Sequence, residues 1–266
     1  MQDIIEPALS LSVSLARQAG RILTERFEKG VDVELKGHID PVTEVDRQVE
    51  RFLAERISGE FPDHEILAEE GTRSEGAGEY RWVIDPLDGT TNYAHGYPCY
   101  AVSIALEFRR ETLLGVIYQP ALDEMFTAVR GAGAFLNGRR LAVSSRVTDL
   151  GEAFLVTGVP YSLHEPEVLR RNVSRLERFL AGSFAVRRDG SAAYDLACLA
   201  AGRFDGYWEE GLKSWDTAAG VLMVLEAGGI ATDFNGEPYL PDTSHSILAA
   251  ASEGLHRQML GMLNER

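Results

Sequence analysis

Apolar positions in the first sixty residues recur at helical spacing. Leu9, Val13, Ala16, Leu23 and Phe27 share one face of a helix predicted to close at Lys29-Gly30. A second helix is predicted after Asp40-Pro41. Thr43 supplies a capping hydroxyl, Val45, Val49, Phe52, Leu53 and Ile57 form the apolar face, and Phe61-Pro62 ends it. Asp46 falls in its first turn, where the helix dipole favours negative charge. From residue 64 the period shortens to that of strands. Strands are predicted over 64–68 and 81–87, separated by a polar, glycine-rich loop over 72–79. Segments 101–108 and 113–118 read as a hairpin across 109–112, followed by strands over 124–129 and 134–143, with Asn137-Gly138 as a tight turn.

The second half alternates. Strands are predicted over 153–158, 184–188, 204–208, 230–233 and 246–251, and helices over 165–180, 191–201, 215–227 and 253–263. Such alternation predicts an α/β fold of the layered α+β kind. A soft boundary near 144–150 divides the chain into an N-terminal α+β half, 1–145, and a C-terminal α/β half, 146–266, within one compact unit.

Composition narrows the function classes. The formal net charge of −15 argues against a nucleic-acid surface, which needs clustered Lys and Arg. Cys99 and Cys198 lie in apolar surroundings without a CxxC motif, so they read as buried thiols. The six histidines are scattered without metal-binding spacing. No apolar run approaches the roughly 20 residues of a membrane span. Met1 to Pro7 carries Asp3 and Glu6 with no basic start before an apolar block, so the expected location is cytoplasmic.

The chemistry concentrates in the run Trp82-Val83-Ile84-Asp85-Pro86-Leu87-Asp88-Gly89-Thr90-Thr91-Asn92. An apolar strand ending in Asp-x-x-Asp-Gly delivers two carboxylates to a sheet end, with no Lys or Arg beside them. Such oxygens suit a hard cation. The Gly-Thr-Thr turn behind them offers amides and hydroxyls to an anion. Further acids stand at predicted element ends: Asp40/Asp46, Glu69/Glu70 and Asp216. Each alone reads equally as a helix cap or a solvated charge. The Asp85 turn differs, because a purely structural turn does not need two acids and two hydroxyls together.

Jointly these pieces resemble the inositol monophosphatase family of magnesium-dependent, lithium-sensitive phosphatases. The resemblance is carried by Asp40-Pro41-Val42-Thr43-Glu44-Val45-Asp46, Ala68-Glu69-Glu70-Gly71, the run from Trp82 to Asn92, and Trp215-Asp216-Thr217-Ala218-Ala219-Gly220. It extends through Gly133-Ala134-Phe135-Leu136-Asn137-Gly138 and Gly190-Ser191-Ala192-Ala193. It implies the layered fold shared with fructose-1,6-bisphosphatase, a homodimer, and two or three Mg²⁺ ions per site. Glu69, Asp85 and the Leu87 carbonyl would hold the first ion, and Asp85, Asp88 and Asp216 the second, with a third sharing Glu69. Asp46 and Thr90 would orient the attacking water, and the Gly89 and Thr90 amides would hold phosphate oxygens. Asp88, Gly190, Ser191, Ala192 and Glu209 would meet the substrate, while Glu70 stands behind the ligands. Ala68 and Pro41 depart from the family's usual residues without removing a ligand.

The implied activity is hydrolysis of a phosphate monoester, inositol 1-phosphate first. Fructose 1,6-bisphosphate, histidinol phosphate and nucleotide 3′-phosphates are alternatives with the same chemistry. A bisphosphate would want a second basic pocket, which Arg139-Arg140, Arg170-Arg171 or Arg187-Arg188 could supply. A different class of role, as a binding protein in transcription or RNA metabolism, is the competing reading.

Overall fold

A computed structural model describes residues 2–27, 33–35, 41–74, 76, 78–144 and 146–265. Asp40, the Lys29-Gly30 helix stop and the loop from Lys36 to Asp40 lie outside the described residues. The chain opens with α1 (Gln2–Phe27), a short ribbon of β1 (Val33–Leu35) and β2 (Pro41–Thr43), and α2 (Glu44–Glu60). There follow β3 (Glu65–Ala68), β4 (Arg73–Ser74), β5 (Tyr80–Asp88), a short helix α3 (Thr90–Ala94), β6 (Ala101–Phe108), β7 (Glu111–Gln119), β8 (Glu124–Val129), β9 (Gly133–Leu136) and β10 (Arg139–Arg140). The remainder comprises β11 (Phe154–Thr157), α4 (Pro166–Gly182), β12 (Ala185–Arg187), α5 (Ala192–Ala200), β13 (Gly206–Glu210), α6 (Ser214–Glu226), β14 (Ile230–Thr232), β15 (Ser246–Ala250) and α7 (Glu253–Asn264).

Two sheets result. One has the order β10-β9-β8-β7-β6-β5-β3-β4, antiparallel except where β3 runs parallel to β5. The other is mixed, with the order β12-β11-β13-β15-β14. Residue alternation along the strands dictates what covers them. Trp82, Ile84, Ile104 and Val116 pack with Leu15, Leu23, Val49 and Leu53 of α1 and α2. The intervening Val83, Ala105 and Ile117 pack instead with Leu196, Leu199, Leu222 and Met223 of α5 and α6. Val156, Tyr207, Ile247 and Ala249 of the second sheet join that same central cluster. Its outer face, Leu155, Trp208 and Leu248, is covered by Phe179 of α4 and by Leu255 and Met259 of α7. The layers therefore run helix, sheet, helix, sheet, helix, as the alternation predicted.

Several boundaries differ from the sequence expectation. α1 begins at Gln2 and runs through Pro7, because the buried Ala8 and the half-buried Ile4 and Ile5 extend its apolar face. The expected loop over 72–79 contains β4, an edge strand pairing Ile66 with Ser74 and Leu67 with Arg73. The hairpin expected across 109–112 turns on Arg109 and Arg110 alone, both at positive φ (52° and 68°), so β7 starts earlier than predicted. Arginine gives no signal for such a turn, unlike Asn137-Gly138, which turns as expected (φ 49° and 79°). The strand predicted over 134–143 is broken by that turn and ends at Arg140.

Candidate active site

The site begins at the end of β5. In a regular strand, residues three apart point to opposite faces. Here Asp85 pairs with Ser103 and Asp88 with Ala101, so β5 spends one more residue than β6 between the same two rungs. This bulge falls at Pro86, which has no amide to give a ladder. It turns Asp88 toward the side of Asp85. One oxygen each of Asp85, Asp88 and Asp216 lies within 4.8 Å of the others. Glu69, at the end of the neighbouring parallel strand β3, hydrogen-bonds with Asp85. All four line a cavity of about 200 Å³.

Helix starts aim the other acids. Asp88 Oδ2 accepts from Ser191 Oγ at 2.7 Å and from the Ala193 amide at 2.8 Å, at the N-terminus of α5. Asp216 Oδ2 accepts the Lys213 amide at 2.7 Å, closing the first turn of α6. Asp46 is fully buried and caps α2, its Oδ2 accepting the Thr43 amide at 2.8 Å as well as the Thr43 hydroxyl. Its Oδ1 lies 3.1 Å from Thr90 Oγ1, which is also 3.0 Å from the Leu87 carbonyl. A hydroxyl has one proton, so Thr90 donates to one of these acceptors at a time.

The turn after Asp88 depends on glycine. Gly89 has φ 93°, and a Cβ there would lie 2.8 Å from the Cys99 carbonyl oxygen. Asn92 ties this turn to the chain before α5, donating to the carbonyls of Cys99 (2.7 Å) and Asp189 (2.7 Å). Gly190, Ser191 and Ala192 consequently reach the same cavity as Asp88.

Electrostatics set this cluster apart from a solvated turn. Enclosure raises the Asp85 carboxyl well above the usual range, and Glu69, Asp88 and Asp216 raise it further. Asp88 is also raised by enclosure, partly offset by its bonds to Ser191 and the α5 amides. Asp216 is raised by enclosure and by Asp88. Oxygen donors forced together in this way fit a hard divalent cation, whose charge would reverse the local penalty and hold them ionised.

Glu209 enters from β13 and is raised to about 7, chiefly by burial. It accepts from Tyr207 Oη at 2.5 Å and packs directly on Gly158. Every predicted site residue except Asp46 lines the cavity, and Asp46 reaches it through Thr90. Glu70 does not line it, and its amide is bound by Glu50. Sequence reasoning missed Lys213 and Trp215 as lining residues, and saw Arg188 only as half of an arginine pair. Lys213 stands three residues before Asp216, in the cap position of α6, and that spacing was the available signal.

The sequence matches the profile of the inositol monophosphatase family over residues 5–265. The chain belongs to the inositol monophosphatase family. It is 42% identical over 257 residues to an inositol-1-monophosphatase of Mesorhizobium japonicum, covering 95% of this chain and 94% of the relative. It is also 42% identical over 248 residues to a Nus factor SuhB of Pseudomonas aeruginosa, covering 91% of each. Its structure matches that of the extragenic suppressor protein suhB from Bartonella henselae with a TM-score of 0.91 at 39% identity, over 97% of this chain and 99% of that one. Membership makes it a hydrolase of the phosphatase class, and the cluster of Asp85, Asp88 and Asp216 could hold a metal ion. Cys99 and Cys198 are buried and unpaired, as their surroundings predicted. Among the described residues, no helix is long and apolar enough to cross a membrane.

Proposed function

We propose that this inositol monophosphatase family member hydrolyses polyol phosphate monoesters, inositol 1-phosphate first among them, with Mg²⁺. The observation that carries the reading is the meeting, in one cavity, of the carboxylates of Glu69, Asp85, Asp88 and Asp216 with the separate acid Glu209. The first group would hold two or three Mg²⁺ ions, helped by the Leu87 carbonyl. When bound, the metal would acidify a water and clamp attacking and leaving oxygens. Thr90, donating its proton to Asp46, presents its lone pairs to that water. The Gly89 and Thr90 amides at the start of α3 would stabilise charge on the phosphate oxygens. Gly190, Ser191 and Ala192 shape the wall beside Asp88, and Glu209 accepts hydrogen bonds from the polyol hydroxyls.

A monophosphate fits better than a bisphosphate. Of the three arginine pairs, Arg139 and Arg140 lie on the exposed edge strand β10, and Arg171 is engaged by Glu210 at 2.7 Å. Arg188 is the member of these pairs that reaches the cavity, with Lys213. The test is phosphate release from inositol 1-phosphate, fructose 1,6-bisphosphate, histidinol phosphate and an adenosine 3′,5′-bisphosphate, with and without Mg²⁺ and Li⁺. Preference for the first, requiring Mg²⁺ and lost with Li⁺, is expected.

The name of the Pseudomonas relative favours a second reading, a protein-binding role in transcription. No Mg²⁺-dependent release from any substrate, together with a stable protein complex, would select it. For either role we propose a homodimer through α4, which exposes Leu169, Val173 and Leu180 along one stripe beside Phe184.

A further inference from the structure

Glu50 sits on α2 and is only 2% exposed. Its carboxylate reaches the turn between β3 and β4, where Oε2 accepts the Glu70 amide at 2.6 Å and Oε1 accepts the Thr72 amide at 2.8 Å. These amides bracket Gly71, which turns the chain at φ 106°. The turn is closed by the Ala68 amide on the Thr72 carbonyl (3.1 Å), and the Glu69 amide is anchored to the Ile84 carbonyl of β5 (3.2 Å). The backbone of residue 69 is thus held by β5 on one side and by the Glu50 grip on the next residue.

That grip has something to resist. Glu69 and Asp85 are both acidic, line the same cavity and stand in hydrogen-bonding contact, an approach of two like groups that the backbone must hold in place. An unrestrained Glu-Glu-Gly turn would relieve this by swinging Glu69 toward water. We propose that Glu50 is a positioning residue for the metal centre: its carboxylate fixes the β3–β4 turn so that Glu69 stays beside Asp85. This rests on Glu69 and Asp85 being metal ligands, as argued above. Both oxygens of Glu50 are in use as acceptors of backbone N–H groups. A glutamine there keeps one acceptor and turns an NH₂ group against the other amide. An aspartate is one methylene too short to span both.

The test is calorimetric titration with Mn²⁺ of the full chain as wild type, Glu50→Gln, Glu50→Asp and Asp85→Asn, with melting curves in chelator. Wild type should bind Mn²⁺ and Asp85→Asn should not. Glu50→Gln should bind about tenfold or more weakly, as supporting hydrogen bonds around ligands typically do when cut. Its melting point in chelator should stay near wild type, and saturating metal should restore most of kcat. Wild-type affinity in Glu50→Gln overturns the positioning role. So does an affinity loss that only tracks a collapsed melting point in chelator. Should Glu50→Gln not fold, Glu50→Asp is judged by the same two readouts. If wild type binds no Mn²⁺, the metal reading fails, and the positioning role falls with it.

Discussion

Gly158→Ala is a sharp test of Glu209 as the substrate contact. A Cβ at residue 158 would lie 2.0 Å from Glu209 Oε2 and 2.2 Å from both Cδ and Oε1. All three terminal atoms are hit, so rotating the carboxylate about its own axis relieves nothing. The whole group must swing away, and the side chain is flexible enough to do so. What it cannot keep is the 2.5 Å bond from Tyr207, whose ring is fully buried. A hydrogen bond to a charged group is worth about 1.5–3 kcal/mol. With roughly 2–4 °C of Tm per kcal/mol in a chain of this size, the melting point should fall by about 3–12 °C. If Glu209 accepts substrate hydroxyls, its departure removes a second bond of the same kind. KM for inositol 1-phosphate should then rise about 10- to 150-fold. The assay is phosphate release at saturating Mg²⁺ with inositol 1-phosphate and, in parallel, p-nitrophenyl phosphate, which has no hydroxyl for Glu209. The aryl ester should be cleaved with near wild-type kcat/KM. An unchanged KM for inositol 1-phosphate would refute Glu209 as a binding group, and an equal loss on both esters would place the damage at the reacting phosphate.

Further outcomes follow from the same geometry. Asp85→Asn should abolish Mg²⁺-dependent turnover, and wild-type kcat with unaltered metal dependence would remove Asp85 from the metal centre. Thr90→Ala should lower kcat by about 10²-fold or more with little change in KM, as expected for a group acting on the nucleophile; a raised KM at constant kcat would make it a binding residue instead. Because burial raises Glu209 to about 7, it is protonated at acid pH and becomes the better acceptor as pH rises through that value. Polyol KM should therefore fall from pH 6 to 8 in wild type and not in Glu209→Gln. The same raised value gives a stability contribution present below the ordinary carboxylate range and lost as pH rises through about 7, readable as a Tm difference between the two proteins. Val173→Glu, in the exposed stripe of α4, should elute as a monomer on gel filtration.

How much of this was legible depends on where the signal lives. Asp85 and Asp88 could be read because strand, proline, acids and turn are contiguous. Glu50 could not, because it is one polar position on an amphipathic helix and its partners lie 20 and 22 residues away in a turn that only tertiary structure brings near. Arg109 and Arg110 show the converse failure, since their left-handed turn is imposed by strand register and no local preference announces it. The central strands could be read as near-continuous apolar runs, but not which layer each face meets, because β5, β6 and β7 are buried on both sides. The edge strand β4 could not be read, as two residues carry no period.

For an acid at the start of a helix, capping and chemistry look like competing explanations. The geometry makes them one arrangement. Asp46, Asp88 and Asp216 each use Oδ2 to accept amides where a helix begins. A carboxylate held by one oxygen has its rotamer fixed, and its other oxygen is then aimed without further cost. For Asp46 that second oxygen meets Thr90. The bonds to backbone N–H groups also oppose the rise in pKa that crowding imposes, as they do at Asp88. Helix starts therefore do two things here: they orient the acids, and they make a dense anionic cluster tolerable before any cation arrives. A cap replaced by asparagine should keep its helix and lose the cluster's charge. For Asp216→Asn the expected result is a near-native melting point in chelator with weakened Mn²⁺ binding. A large loss of stability with intact metal affinity would show that the acid serves the helix alone.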